Sequence, residues 1–282
     1  MSKDADERLG DLLRLGDGPV DLAGMRPGST PAFDGDKSDG KDALADMGDE
    51  LNDLSRRLFA AGNGGADARV LVVLQGMDTS GKGGVVRHVA PLLDAQTWVL
   101  STFGRPTEEE LKHDFLWRIK RGLPGAGQIG FFDRSHYEDV LVPVVDGDID
   151  AKEHARRLKS ISTFEQSLVD EGVVIIKCYL HITAETQRER LLARLDEPHK
   201  HWKYDPHDLE DRSEWADYQA AYLRVLTECA SPGAPWHVVP ADRKWYRNWA
   251  VARLLLEHLR DIDPQWPVAD FDVDAQRAQL TP

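Results

Sequence analysis

Residues 69–84 read RVLVVLQGMDTSGKGG, a short β-branched apolar run that breaks at once into glycine-rich sequence and then into helix-forming sequence. Such a segment constrains the chain to a buried strand, a tight loop and a helix in immediate succession. Within it, Gly76, Met77, Asp78, Thr79, Ser80, Gly81, Lys82, Gly83 and Gly84 match the pattern G-x-x-x-x-G-K in the strand-to-helix context that the pattern requires. Glycines let successive amide N–H groups turn inward around an anion. The helix N-terminus adds positive potential, and Lys82 supplies a mobile charge. These nine residues predict a phosphate cradle, with Arg87 in the helix beyond as a further candidate for binding phosphate.

One position departs from the common pattern. The serine or threonine that ordinarily follows the lysine and holds Mg2+ is here Gly83. Asp78, inside the loop, is the candidate replacement, because a carboxylate hostile to bare phosphate makes sense beside a cation. A second acid, Asp133, ends the apolar run 128–132 and is followed by Arg134, Ser135, His136 and Tyr137. Ligands of open parallel sheets gather at the carboxyl ends of strands, so Asp78 and Asp133 are expected to converge as metal ligands. Arg134 would offset charge on a transferring phosphoryl group or hold the acceptor phosphate. Asp78, Lys82, Asp133 and Arg134 are therefore the candidate catalytic residues, while chemistry alone assigns no role to His136 and Tyr137.

The rest of the chain alternates strand and helix. Strands are expected at 69–75, 98–103, 128–132, 173–182 and 236–239. Helices are expected at 44–61, 82–93, 107–121, 152–171, 186–195, 205–229 and 243–261. The helix at 107 opens with a Thr107/Glu110 capping box, and the one at 152 stops at Gly172. This order predicts an α/β, three-layer P-loop kinase fold with a central five-stranded parallel sheet, helices on both faces and a helical lid at about 186–228. Residues 1–40, rich in Gly, Asp, Ser and Pro, read as an irregular arm, and 41–282 as the phosphotransferase domain.

The net charge of −14 over 282 residues argues against a protein that coats nucleic acid. No apolar run approaches the ~18 residues of a membrane span, so no membrane partner is expected. A polyanionic substrate would need cations concentrated locally, and Arg194, Lys200 and Lys203 in the lid stretch are the candidates. Closing such a lid over the loop would neutralise phosphates and exclude water, which would otherwise compete with transfer. The two cysteines, Cys178 and Cys229, lack metal-type spacing, and a reducing cytoplasm is the expected compartment. An ordinary ATP-dependent nucleoside monophosphate kinase would share fold and loop, but Gly83 counts against it.

Four ordered stretches resemble the polyphosphate kinase 2 family: GMDTSGKGG, FFDRSHYEDVLV, RLDEPHKHWKYDPHDLEDR and APWHVVPADRKWYRNWAV. The likeness runs from about residue 41 to 266, with Asp133 where the family often has Asn. It implies inorganic polyphosphate as donor, ADP or AMP as acceptor, Mg2+ or Mn2+ as cofactor, and a homo-oligomer, dimer or tetramer. The stretch 106–118 resembles the subgroup that phosphorylates both AMP and ADP, class III.

Overall fold

The computed structural model describes residues 8–16 and 18–281. Strand β1 (Arg69–Gln75) is buried along nearly its whole length, as its continuous apolar sequence requires of a strand covered on both faces. It pairs in parallel with β3 (Ile129–Asp133) on one side and β4 (Val173–His181) on the other. The outer strands β2 (Trp98–Thr102) and β5 (Trp236–Pro240) complete a five-stranded sheet in the order β2-β3-β1-β4-β5, parallel throughout.

The helices are α1 (Leu9–Leu13), α2 (Lys37–Asp46), α3 (Gly48–Asn63), α4 (Lys82–Val89), α5 (Leu116–Arg121), α6 (Glu138–Val145) and α7 (Ala151–Asp170). They continue with α8 (Ala184–Asp196), α9 (His207–Ser213), α10 (Trp215–Glu228), α11 (Lys244–Ile262) and α12 (Val273–Leu280). Helices α2, α3, α4 and α11 pack together as one layer, and α6, α7 and α10 as another. None of the helices among the described residues is long and apolar enough to cross a membrane.

Several elements differ from the sequence expectation, each for a local reason. The helix expected at 44–61 is two helices meeting at Met47, the first capped by Asp36 and Asp39 in a reciprocal box. The Thr107/Glu110 box forms, yet only a 3-10 turn (Glu110–Lys112) follows it. Extended backbone at His113 interrupts the helix, and Asp114 starts α5 by accepting from the Leu116 amide. The helix expected at 205–229 divides at Glu214 into α9 and α10. Helix α6 was not anticipated, because Pro143 lies within it.

Of the irregular arm expected at 1–40, residues 1–7 and 17 lie outside the described residues, while 8–16, which include the short helix α1, and 18–36 lie along the domain and 37–40 open α2. Glu257 accepts from the amides of Leu9 and Gly10, and Leu15 N donates to Trp236 O. Further along, Phe33 sits edge-on to Trp245 and Trp249. At this seam His237 of β5 is 2% exposed, 3.3 Å from the Lys177 carbonyl and edge-on to His258. Burial, reinforced by His258, pushes His237 down to about 4 from the ordinary 6.5. The unfolded chain therefore binds a proton in the window between these values that the folded chain refuses. The stability tied to a neutral His237 is complete above about pH 6.5 and is lost as pH falls toward 4. Its size is on the order of 3 kcal/mol, from about 1.4 kcal/mol per tenfold change in proton affinity. Urea unfolding from pH 7.5 to 4.5 should show this fall, and His237→Gln should flatten it. An equally steep fall in the variant would assign the loss to other groups.

Candidate active site

The cradle forms between β1 and α4, and its backbone explains its glycines. Gly76 (φ +147°) and Gly81 (φ +106°) occupy conformations that L side chains avoid. A Cβ on Gly76 would stand 2.6 Å from the Leu180 carbonyl, and one on Gly81 would overlap the Arg247 guanidinium. Thr79 adopts φ +65° without being glycine, so the loop also carries backbone strain. Lys82 is buried and donates from Nζ to Gly76 O at 2.7 Å, lying across the loop. Met77 is buried beneath the loop, and the hydroxyls of Thr79 and Ser80 are buried without a hydrogen-bond partner.

Two arginines grip the loop from outside. Arg190 of α8 donates to Thr79 O and Ser80 O at 2.8 and 3.1 Å, and Arg247 of α11 donates to Ser80 O at 3.0 Å. The other acceptor of Arg247 is Asn248 Oδ1, so both of its partners are neutral. Burial, with Arg190 adding repulsion, pushes Arg247 down to about 9. These cations set a positive potential behind the amides that face an incoming anion. Neither was singled out as a ligand from sequence. The signal available was an arginine at 247 inside an otherwise core-forming helix.

Asp133 ends β3, as its sequence position implies. A Cβ placed on Gly83 would come 3.1 Å from Asp133 Oδ2. The residue after Lys82 is thus small where this carboxylate meets the first turn of α4. Arg134 has φ +63°, and its guanidinium pairs with Asp78 at 2.9 Å. Burial disfavours the charged form of Arg134, but Glu138 and Asp78 outweigh that and hold it protonated. Burial likewise opposes ionisation of Asp78, but Lys82 and Arg134 prevail and keep its carboxyl below the usual range.

Asp78, Lys82 and Arg134 line a cavity of about 780 Å3 bounded by α6, α9 and α10. The candidate lid cations divide. Arg194 faces the cavity but is held by Asp208 at 2.9 Å and by the Lys203 carbonyl. Lys200 is paired with Glu197 and lies outside the cavity wall. Lys203 lines the cavity, and burial together with Arg87, Arg194 and Lys200 lowers its proton affinity. Arg87 is exposed on α4.

Sequence reasoning missed the wall on the α6 side and the acids of α9. Glu138 lines the cavity and accepts from Gln75 Nε2 at 3.2 Å; burial raises its pKa. Asp139 pairs with Arg118 at 2.8 Å. Asp211 accepts from Tyr218 OH at 3.0 Å and meets Asp78. Burial and that carboxyl–carboxylate hydrogen bond push Asp211 up to about 6. Nine carboxylates and six cationic side chains line the cavity, so a bound polyphosphate would need cations beyond those of the wall.

The sheet order, the loop and the acid at the end of β3 define a P-loop phosphotransferase of the kinase type. The chain belongs to the polyphosphate kinase 2 family, whose model, Polyphosphate kinase 2 (PPK2), matches residues 34–267. It is 42% identical over 251 residues to an AMP/ADP-polyphosphate phosphotransferase of Meiothermus ruber, covering 89% of this chain and 92% of the relative. It is 38% identical over 268 residues to an ADP-polyphosphate phosphotransferase of Rhodopseudomonas palustris, covering 90% and 91%. The crystal structure of Polyphosphate Kinase 2 from Arthrobacter aurescens TC1 superposes with a TM-score of 0.94 at 48% identity, over 97% of this chain and 96% of that one. These relatives are named for polyphosphate, which lends no support to the ATP-donor alternative.

If Arg247 supplies both shape and charge to the loop, Arg247→Met should weaken binding of inorganic tripolyphosphate about tenfold, or roughly 1.4 kcal/mol. Isothermal titration measures this directly. Unchanged affinity would mean that the loop keeps its form without Arg247.

Proposed function

We propose that this protein transfers the terminal phosphoryl group of inorganic polyphosphate to AMP and to ADP, reversibly. The observation that carries this reading is the swap within the loop: Gly83 stands where ATP-using P-loop enzymes have a hydroxyl, and the loop instead brings the Asp78 carboxylate into the cavity beside Lys82 and Arg134. The near-full-length similarity to a relative named as an AMP/ADP-polyphosphate phosphotransferase supports both acceptors.

The residues fit a divalent cation, Mg2+ or Mn2+. The cavity wall has more carboxylates than cations, and Asp78 and Asp211 meet on it. Among the described residues no three acidic, histidine or cysteine side chains form a compact metal cage. Such a wall suits an ion held by one or two carboxylates together with substrate phosphates. Asp78 and Asp133 would hold it, and when bound it would neutralise charge on the donor and acceptor phosphates.

Lys82 and the loop amides hold the donor end. Arg134, already charged, offsets the negative charge that spreads over the transferring group. The attacking atom is an ionised phosphate oxygen of the nucleotide, so no strong general base is required. The α8–α10 segment acts as the lid. Lys203 reaches the chain of phosphates from it, while Arg194 must exchange Asp208 for phosphate, and Lys200 must exchange Glu197, before either can bind substrate.

A reducing cytoplasm suits the two buried free thiols, Cys178 and Cys229. A homo-oligomer, dimer or tetramer, is supported by Trp266, Val268, Phe271 and Leu280, all exposed near the C-terminal end. A monomer by sedimentation equilibrium at micromolar concentration would remove that element.

Incubation with Mg2+, polyphosphate and AMP or ADP, without ATP, should yield ADP and ATP by chromatography. If neither forms, the function is wrong; if ATP plus AMP reacts instead, the donor is wrong. Asp78→Asn should lower kcat by about a hundredfold or more with the fold retained, the scale expected when a group acting mainly in the transition state is lost. Retained turnover would take Asp78 out of the metal site.

A further inference from the structure

Below the cavity lies a group of polar side chains that the proposed chemistry does not use. Lys177 of β4 is fully buried, and its Nζ donates to Glu165 Oε2 at 2.6 Å, to Cys229 O at 2.5 Å and to Tyr137 OH at 3.2 Å. Tyr137 OH donates to Glu165 Oε1 at 2.6 Å, and His136 Nε2 lies 3.0 Å from the same oxygen. Glu165 and His136 are 2% and 0% exposed. Neither Lys177 nor Glu165 lines the cavity, so neither touches substrate.

Burying an ion pair this deeply is weak evidence of a contribution to stability, because apolar replacements of similar volume often stabilise a fold equally well. What the cluster does hold is a short stretch of chain. His136 and Tyr137 follow Arg134 by two and three residues. Tyr137 is the cap residue of α6, and Glu138 follows it on the cavity wall. Arg134 itself has φ +63°, a conformation uncommon outside glycine, asparagine and aspartate. Such a residue stays there only if both flanks are fixed. The upstream flank is fixed by the ladder, where Asp133 pairs with Leu74 of β1 and Thr102 of β2. The downstream flank has no ladder. It is anchored by Ser135 Oγ accepting from Tyr137 N at 3.2 Å, by the buried cluster, and by Arg157 of α7 donating to Asp139 O at 2.9 Å.

We propose that the buried Lys177–Glu165 pair, with His136 and Tyr137 bonded to Glu165, is a positioning device that keeps Arg134 in its left-handed backbone conformation and in contact with Asp78. An ion pair suits this task better than apolar packing. Its hydrogen bonds fix the direction of the Tyr137 hydroxyl and the His136 ring, whereas dispersion contacts tolerate sliding. The four residues are positioning residues, and their influence on turnover rests on the function proposed above.

The test compares the parent enzyme, the double variant Lys177→Met/Glu165→Leu and the milder Tyr137→Phe. Crystal structures of the variants should show Arg134 out of the positive-φ region and its 2.9 Å contact with Asp78 broken or lengthened. In the polyphosphate assay kcat should fall about tenfold in the double variant and about threefold in Tyr137→Phe, with KM for AMP and for polyphosphate within about twofold of the parent. The melting temperature of the double variant should not fall in step with kcat. A purely structural cluster would give the reverse: lowered melting, unchanged kcat, and Arg134 in place, which overturns the proposal. If the double variant does not fold, Tyr137→Phe decides by the same readings. A parent inactive with polyphosphate would refute the proposed function alone, because the conformation of Arg134 in the variants still decides this inference.

Discussion

The peptide carbonyls of Thr79 and Ser80 are held from outside by the guanidinium groups of Arg190 and Arg247, and much of the site depends on that grip. A peptide unit is rigid, so a carbonyl held outward aims its partner amide the other way. Of the two amides set in this way, Ser80 N donates to Met77 O and closes a turn within the loop, while Gly81 N leads into the first turn of α4, where an anion would sit. The grip requires the guanidinium of Arg247 to pass where a side chain at Gly81 would stand, which excludes any larger residue there. Since α8 is also the first helix of the proposed lid, the cradle and that cover would share one structural member.

The cavity combines opposing charges at close range. Asp78 is flanked by Lys82 and Arg134 on one side and by Asp211 on the other. Cations on the loop side favour ionisation, while the acid on α9 can retain a proton. This arrangement is therefore electrostatically satisfied only with a proton or a cation between the two carboxyl groups. A site with an excess of acids and an overall charge of −14 attracts metal-loaded phosphate more readily than bare polyanion.

Much of this was legible in the sequence. The span of β1 was readable to the residue, because five apolar positions, 70–74, stand between Arg69 and Gln75 and the run ends at a glycine whose φ is positive. The five strands and the acid at the end of β3 followed from apolar runs and their boundaries. Helix α6 escaped because Pro143 argues against a helix, yet the proline lies on a short segment carried by packing against α7 and α10. The lid cations were recognised as a group but not by role. Only the fold reveals that Arg194 and Lys200 already have carboxylate partners, whereas Lys203 meets the cavity. Glu138 and Asp211 were missed for the converse reason, since acids in an acidic chain carry no signal until their surroundings are known.

The β5 edge of the sheet is covered by an early part of the chain: Arg14 forms a single antiparallel bridge with His237, and Leu15 bonds to Trp236. An open parallel sheet invites further strands at its margins, and this bridge occupies one of them. The closing segment precedes its partner by more than two hundred positions, so it is made long before there is a strand to cover. During synthesis it must wait, and the nascent sheet keeps a sticky margin until β5 arrives. The loop entropy of joining such distant segments makes this closure a late event. The folding of this sheet is thus complete only when residues 14–15 meet β5.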